Sequence, residues 1–205
     1  MSTSDETAVP AVAAAAPLAV ADPAPLGLAG FALTTFLLSA ANAGWTRGGG
    51  GEWLPYALAY GGVAQLLAGM WEFRNKNVFG ATAFGTYGSF WIGLFLYVRF
   101  IAPTAGENVG NDLGWILLAF AIFTLYMLLF SAQASAVLFS VFFFLEIAFI
   151  LLFIGQFAAN TNMIKFGGYV GVLTALLAWY ASAAGIANGM GGKLRLPVGP
   201  PLIHN

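Results

Sequence analysis

The chain has 205 residues, of which 60% are hydrophobic and only 7% are charged, and its mean hydropathy is +0.84. Soluble domains carry about 25% charged residues, so this composition excludes an ordinary soluble fold and predicts that lipid covers most of the surface. The net charge of −1 argues against a nucleic-acid partner, and the lack of cysteine in this chain excludes disulfides and thiolate metal sites within it.

The residues give no indication of catalysis. The single histidine is His204, and no histidine or lysine lies within an apolar segment to serve as a base. The glycine-rich stretch 48–51 lacks the Lys-Ser/Thr end of a phosphate-binding loop. We therefore predict that the protein is not an enzyme and that it uses neither a cofactor nor a metal ion.

Residues 1–21 precede the first apolar segment and are rich in alanine and proline. A signal peptide is one interpretation, but Asp5 and Glu6 stand where its basic region should be, and the first positive charge is Arg47. We favour a disordered cytoplasmic tail, since such a composition buries too little apolar surface to order itself.

Six apolar segments follow the tail, and each is close to the roughly 20 residues that a helix needs to cross about 30 Å of hydrocarbon. The apolar runs are continuous and do not alternate, which indicates helices and not the strands of a barrel. We predict an all-α integral membrane protein with a six-helix transport domain over residues 22–192. The segments span residues 23–46, 53–71, 77–98, 113–130, 134–157 and 166–192.

An even number of crossings puts both termini on one side of the membrane. Four positive charges lie on that side and three on the other, which weakly favours a cytoplasmic location for both termini and for a short C-terminal tail, 193–205. The four are Arg74, Lys76, Lys193 and Arg195, and the three are Arg47, Arg99 and Lys165.

Polar side chains are sparse inside the segments, and their types suit the lining of a path for a small polar solute. Helical periodicity places Phe31, Leu38 and Asn42 on one face of the first segment, with either Thr34 or Thr35 between them. Packing against neighbouring helices is an equally good interpretation of this face. The candidate path residues are Thr34, Thr35, Asn42, Gln65 and Thr86.

Glu146 is the one acidic residue deep in an apolar segment. A charge exposed to lipid is costly, so an acidic residue in a membrane span is a candidate for function, here as a proton carrier. The alternative is a neutral carboxyl without a role in transport.

The order of several motifs resembles that of the acetate uptake transporter family, which contains the bacterial acetate/succinate permease and the yeast ammonia/acetate exporters. The family's signature at the start of its first helix is Asn-Pro-Ala-Pro-Leu-Gly-Leu. This chain carries Asp22 in the place of the asparagine and matches the signature at its other six positions. The matching residues are Pro23, Ala24, Pro25, Leu26, Gly27 and Leu28.

Further motifs extend the resemblance to about residue 197. Tyr60-Gly61-Gly62 with Gln65 is similar to the family's second helix, and Tyr87-Gly88-Ser89-Phe90-Trp91 is similar to its third. Asp22 is a mild departure, because aspartate and asparagine both cap helix N-termini.

The resemblance implies a six-helix bundle that assembles as a homohexamer, with an hourglass pore in each protomer. It also implies that Phe31, Tyr87 and Leu145 form the narrowest point of that pore. Glu146 is not part of the family's pattern, and it should point about 100° away from Leu145 on the helix.

We therefore predict a channel or transporter of the cell membrane for acetate and other small monocarboxylates, with a hydrophobic constriction. Succinate, the direction of flux, proton coupling and the choice between acetate and acetic acid stay open. A channel for small neutral solutes such as ammonia, urea or water is the main alternative. A membrane scaffold that transports nothing is a second alternative.

Overall fold

The computed structural model describes residues 20–47 and 50–203. Most of these residues are helical and none of them lies in a strand, which confirms the predicted all-α class. Most of the predicted tail, 1–21, lies outside the described residues. The helices are α1 (Ala24–Asn42), α2 (Leu54–Leu58), α3 (Gln65–Arg74), α4 (Val78–Leu96), α5 (Ala102–Ala105), α6 (Val109–Ser131), α7 (Ala136–Phe157) and α8 (Thr161–Gly189).

Four helical stretches in the described part of the chain are both long and apolar enough to cross a membrane: Ala24–Asn42, Val78–Ser131, Ala136–Phe157 and Thr161–Gly189. The second of these has 54 residues. As one straight helix it would be about 80 Å long, far more than the roughly 30 Å of hydrocarbon in a bilayer.

This long stretch folds back on itself around α5. The rings of Tyr87 and Phe123 lie 5.2 Å apart, and the Tyr97 hydroxyl donates a hydrogen bond of 2.9 Å to Asp112 Oδ2. Tyr87, within α4, thus meets Phe123, whereas Tyr97, just after α4, meets the earlier residue Asp112 of α6. The two helices are therefore antiparallel. Gly106 lies in the turn with a φ of 58°, a conformation that glycine adopts without strain.

Residues 54–74 form a further helical segment, in which a π-helical turn, Ala59–Ala64, joins α2 to α3. This segment packs antiparallel and very close to α4. A Cβ on Gly69 would lie 2.6 Å from Gly85 N, and one on Gly88 would lie 2.7 Å from Leu66 N. Small residues thus allow backbone contact here. That the chain crosses the membrane six times stays a prediction.

α8 runs antiparallel to α1 along almost its whole length. Ser182 Oγ donates to Pro25 O at 2.7 Å, while a Cβ on Gly168 would lie 2.5 Å from Ala43 N. Because neighbouring helices alternate in direction, Asp22 shares one end of the bundle with the start of α4 and of α7. We call this the Asp22 end, and the opposite end, where α1 stops at Asn42, the Asn42 end.

Several helices extend beyond the charge-free segments of the sequence. The second predicted segment stops at residue 71, but α3 continues to Arg74 and includes a fully buried Glu72. α6 begins at Val109 and α8 at Thr161, four and five residues before the predicted segments. The predicted ends were wrong because charges mark the limit of the hydrocarbon, whereas a helix can continue into the polar layer.

The outer surface of the bundle is apolar. Soluble proteins rarely expose large continuous apolar surfaces, so this surface identifies a membrane-embedded protein. Large hydrophobic side chains that are at least half exposed include Trp115, Ile122, Leu125, Leu129, Phe130 and Leu176.

The described part of the C-terminal tail packs on the Asp22 end. Val137 N, in the first turn of α7, donates to Val198 O at 3.0 Å, and Leu202 N donates to Ala132 O at 2.8 Å. The tail thus links the end of α8 to the turn between α6 and α7.

Candidate functional site

A first cavity opens between α1, α3, α4 and α7 on the side of the Asp22 end. Along α1 it is lined by Ala24, Leu28 and Phe31, and the amide side chains of Gln65 and Asn77 also border it. Its volume is about 70 Å³. The deepest lining residue on α1 is therefore Phe31.

A second cavity lies on the side of the Asn42 end and has a volume of about 40 Å³. Along α1 its lining begins at Phe31 and continues through Thr35, Leu38 and Asn42. These four residues recur at the helical period, so one stripe of α1 faces the cavity.

The two cavities have three lining residues in common, Phe31, Tyr87 and Leu145. Each is the last residue of its helix to line the first cavity and the first to line the second. All three are buried, and the rings of Phe31 and Tyr87 lie 5.7 Å apart at 55°. These three side chains, which we call the waist, form an apolar partition between the two cavities.

The waist consists of the residues that the resemblance predicts for the narrowest point. The periodicity of α1 also indicated the face on which Phe31 lies. Leu145, on α7, was assigned from the family's motif alone. The role of the three residues as a pore constriction stays a prediction.

The structure divides the predicted path residues into two groups. Gln65 lines the first cavity, and Thr35 and Asn42 line the second. Thr34 instead faces the helix beside it, where its hydroxyl donates to Tyr56 O at 3.3 Å. Thr86 borders a groove on the outer surface of α3 and α4. Thr34 and Thr86 therefore lie outside both cavities, which argues against their predicted place on the path.

Both cavities are bordered by a residue with a buried polar atom that has no hydrogen-bond partner among the described residues. The atoms are Gln65 Oε1 at the first cavity and Thr35 Oγ1 and Trp91 Nε1 at the second. Buried polar groups are nearly always paired, so these atoms are candidates to bind water or a polar solute. Sequence reasoning missed Trp91 as a donor, because an indole in an apolar run looks like packing.

The phenol of Tyr87 turns its hydroxyl away from the cavities. Its oxygen lies 2.8 Å from Thr124 Oγ1 on α6, and Thr124 is fully buried. The part of Tyr87 that borders the cavities is therefore its ring. The sequence shows Thr124 only as one of the sparse hydroxyls in a long apolar helix and gives it no specific role.

Glu146 lines neither cavity, although it follows Leu145 directly. Its side chain is 8% exposed, and Oε2 has no hydrogen-bond partner among the described residues. This placement agrees with the rotation of about 100° between successive helix residues. A proton carried by Glu146 would therefore move beside the waist and not through it.

The signature stretch forms the start of α1. Asp22 Oδ1 accepts a hydrogen bond of 3.0 Å from Ala24 N, but the N-cap position of α1 is Pro23. The aspartate thus stabilises the turn that precedes the helix, as an asparagine could, and does not take the expected N-cap position. Gly27 packs against the ring of Phe84, where an added Cβ would lie 2.7 Å from the ring carbons. Leu28 borders the first cavity. The motif thus sets both the start of α1 and its distance from α4.

The structure has no cluster of metal-ligating side chains in its described ranges, 20–47 and 50–203: no three His, Cys, Asp or Glu residues come together there. Its polar groups can hold a small solute by hydrogen bonds. A bundle embedded in lipid, with cavities on the two sides of an apolar waist, is typical of membrane channels and transporters.

The comparison with known families agrees. The model of the GPR1/FUN34/yaaH family matches residues 5–200, and this chain belongs to that family. The resemblance to the acetate transporter family that the motifs predict is thereby confirmed.

Among its relatives, the succinate-acetate/proton symporter SatP of Escherichia coli is 39% identical over 182 residues, 88% of this chain and 96% of that protein. Acetate permease A of Emericella nidulans is 41% identical over 196 residues, 87% of this chain and 65% of the relative. Ammonia transport outward protein 2 of Saccharomyces cerevisiae is 38% identical over 179 residues, 82% of this chain and 62% of the relative. The chain thus spans less than two thirds of these fungal relatives.

A solved structure described as that of the bacterial acetate channel SatP superposes on this chain with a TM-score of 0.81. The sequences are 38% identical, and the match covers 88% of this chain and all of the other. The fold described above is therefore that of a known membrane channel.

Proposed function

We propose that this chain carries acetate and other small monocarboxylates across the cell membrane, through the two cavities and past the waist. The observation that carries the proposal is that two buried cavities meet at the same three side chains, Phe31, Tyr87 and Leu145. The names of the bacterial and the Emericella relatives, which refer to acetate, support the choice of solute.

An apolar waist suits a solute with one apolar end. A narrow hydrophobic constriction excludes hydrated ions, because water leaves it readily. Acetate can present its methyl group to Phe31 and Leu145 while its carboxylate is still hydrogen-bonded in a cavity, whereas an inorganic ion has no apolar side to present.

The polar groups at the cavities provide weak binding on each side of the waist. Gln65 is available on the side of the Asp22 end, and Thr35 and Asn42 on the other. Weak binding at several sites lets a solute leave as well as enter. Thr34 and Thr86 have no part in this mechanism.

Proton coupling through Glu146, a homohexameric assembly and cytoplasmic termini belong to the proposal as finer points. A bacterial relative named as a proton symporter supports the first of these. Succinate, which appears in the same relative's name, is a further substrate to test.

Transport of ammonia or another small neutral solute is the second candidate function. The name of the yeast relative favours it, and so does the absence of charged residues from the lining of both cavities. The two candidates differ in whether propionate or urea competes with the transported solute.

Uptake of labelled acetate into proteoliposomes tests the proposal, with and without a proton gradient and with either competitor. We expect uptake that propionate inhibits and urea does not. Phe31→Ala should alter the flux or its selectivity. Phe36→Ala is the matched control, since Phe36 packs on Trp179 at 5.3 Å and borders neither cavity.

Acetate uptake no greater than in protein-free liposomes would overturn the proposed function and favour the scaffold alternative. Inhibition by urea and not by propionate would favour the neutral-solute channel. Wild-type flux and selectivity in both Phe31→Ala and Tyr87→Ala would contradict the role of the waist as a constriction but not the transport of acetate.

A further inference from the structure

The waist contains one polar group, the hydroxyl of Tyr87, and its surroundings keep that group out of the path. The hydroxyl lies 2.8 Å from Thr124 Oγ1. Thr124 belongs to α6 and lines neither cavity. Thr124 thus lies on the side of Tyr87 that faces away from the cavities.

The direction of this hydrogen bond follows from the threonine's other contact. Thr124 Oγ1 also lies 2.7 Å from Phe120 O, which can only accept a hydrogen bond. A hydroxyl has one proton, so Thr124 donates to Phe120 O and accepts from Tyr87. In the described part of the chain neither hydroxyl bonds to Glu146.

Aromatic contacts hold the ring of Tyr87 on two other sides. Phe123 meets it edge to face at 5.2 Å, and Phe142 lies 6.2 Å from it at 47°. Such contacts limit the tilt of a ring, but they tolerate sliding because dispersion has no direction. The hydrogen bond to Thr124 is the directional contact that sets the position of the phenol oxygen.

We propose that Thr124 is a positioning residue that sets the selectivity of the waist by holding the Tyr87 hydroxyl away from the path. The inference rests on the proposed function. Without the threonine hydroxyl, the phenol would have an unpaired donor in apolar surroundings, which is unfavourable. The ring then gains by moving its hydroxyl toward solute or water in a cavity.

A phenol hydroxyl in the path would make the waist polar on one side. Water then remains in the constriction more readily, and hydrated inorganic ions pass with acetate. The selectivity for acetate over chloride should therefore fall, while the acetate flux itself persists.

The test compares chloride and acetate fluxes in proteoliposomes containing the full chain. Thr124→Val removes the hydroxyl at nearly constant volume, and it should raise the chloride-to-acetate ratio roughly threefold or more, the factor that corresponds to an average interhelical hydrogen bond in a membrane protein. Thr124→Ser keeps the hydroxyl and should restore selectivity close to that of the wild type.

Thr174→Val is the matched control. Thr174 on α8 is also fully buried and also donates to the carbonyl four residues earlier, Val170 O at 3.0 Å. It lines neither cavity and does not contact Tyr87 through a hydrogen bond. A general effect of losing a buried helical hydroxyl would appear in both valine variants, whereas the proposed effect appears only at position 124.

A double substitution isolates the role of the pair. In a Tyr87→Phe background there is no phenol donor to satisfy, so Thr124→Val should add no further change in the ratio. Thr124→Ala provides a second variant if the valine protein does not fold.

A wild-type ratio in both Thr124→Val and Thr124→Ala would overturn the inference, and so would an equal rise caused by Thr124→Val in the Tyr87→Phe background. Failure of the proposed function would give a different result, because the wild-type protein itself would then show no acetate flux.

Discussion

The two cavities have three lining helices in common but differ in the polar groups that line them. α1, α4 and α7 line both, and each contributes one residue to the waist. The first cavity has amides, Gln65 and Asn77, whereas the second has hydroxyls, the amide of Asn42 and the indole of Trp91.

This difference indicates an asymmetric path. An amide offers two N–H donors, while a hydroxyl offers one. A carboxylate can accept several hydrogen bonds, so it should bind more firmly near Gln65 than near Thr35. The waist separates these sites and decides which solutes pass, so binding and selection belong to different side chains.

The largest effect should come from the waist itself. Leu145→Ala removes side-chain bulk that both cavities share, and it should raise the chloride-to-acetate flux ratio about tenfold, the factor for roughly 1.4 kcal/mol of barrier. Leu138→Ala, two turns earlier on α7, borders only the first cavity and should change the ratio much less. Equal changes in the two variants would contradict a separate role for the waist.

A smaller effect should distinguish the two cavities. Gln65→Leu removes the amide from the first cavity and should raise the half-saturating acetate concentration about fivefold, the factor for the roughly 1 kcal/mol that a typical hydrogen bond contributes. Thr35→Val removes a single donor and should raise it less, roughly threefold. Concentration-dependent uptake measures both values, and the reverse order would refute the asymmetry.

Neighbouring threonines on α1 allow a finer test. Thr34→Val removes the hydrogen bond to Tyr56 O and should lower the stability of the purified protein by roughly 0.5–1 kcal/mol, without changing the half-saturating acetate concentration. Thr35→Val should have the opposite profile. Thermal unfolding in detergent and uptake assays measure the two effects. A changed half-saturating acetate concentration in Thr34→Val would show that Thr34 does line the path.

Much of the fold could be predicted because lipid excludes charge. Charge-free runs of about 20 residues locate the helices of this bundle. They do not locate the helix ends, as Glu72 illustrates. This carboxylate is buried within α3, where Oε2 accepts a hydrogen bond of 3.1 Å from Asn75, and a Cβ on Gly80 would lie 2.7 Å from its Oε1. The partner, Asn75, directly follows α3, and a local hydrogen bond of this kind is invisible in hydropathy.

The candidate site was partly predictable from helical periodicity. Helical periodicity identified the stripe of α1 that contains Phe31 and Asn42, but it could not choose between Thr34 and Thr35. Both are buried hydroxyls, and only the packing of α1 on the Ala59–Ala64 turn decides between them. The pairing of Thr124 with Tyr87 could not be predicted, because it depends on a contact between α4 and α6.

The smallest effect on the flux itself should come from Glu146, which lies beside the waist and borders neither cavity. If this carboxyl carries a proton, Glu146→Gln should remove the pH dependence of acetate uptake. The acetate-to-chloride selectivity should stay near that of the wild type, because the apolar surface of Phe31, Tyr87 and Leu145 is intact. Uptake measured across a range of pH, with the internal pH held constant, checks both points.

Asp112→Asn is the control for Glu146→Gln, since it also replaces an acid by its amide but lies in the first turn of α6 at the Asn42 end, where Asp112 accepts from Tyr97. Its pH profile should match that of the wild type. An unchanged profile in Glu146→Gln would remove the proton role and leave Glu146 as a neutral partner in helix packing. A changed selectivity would instead mean that the carboxyl supports Leu145, so that selection depends on groups behind the waist as well as on those within it.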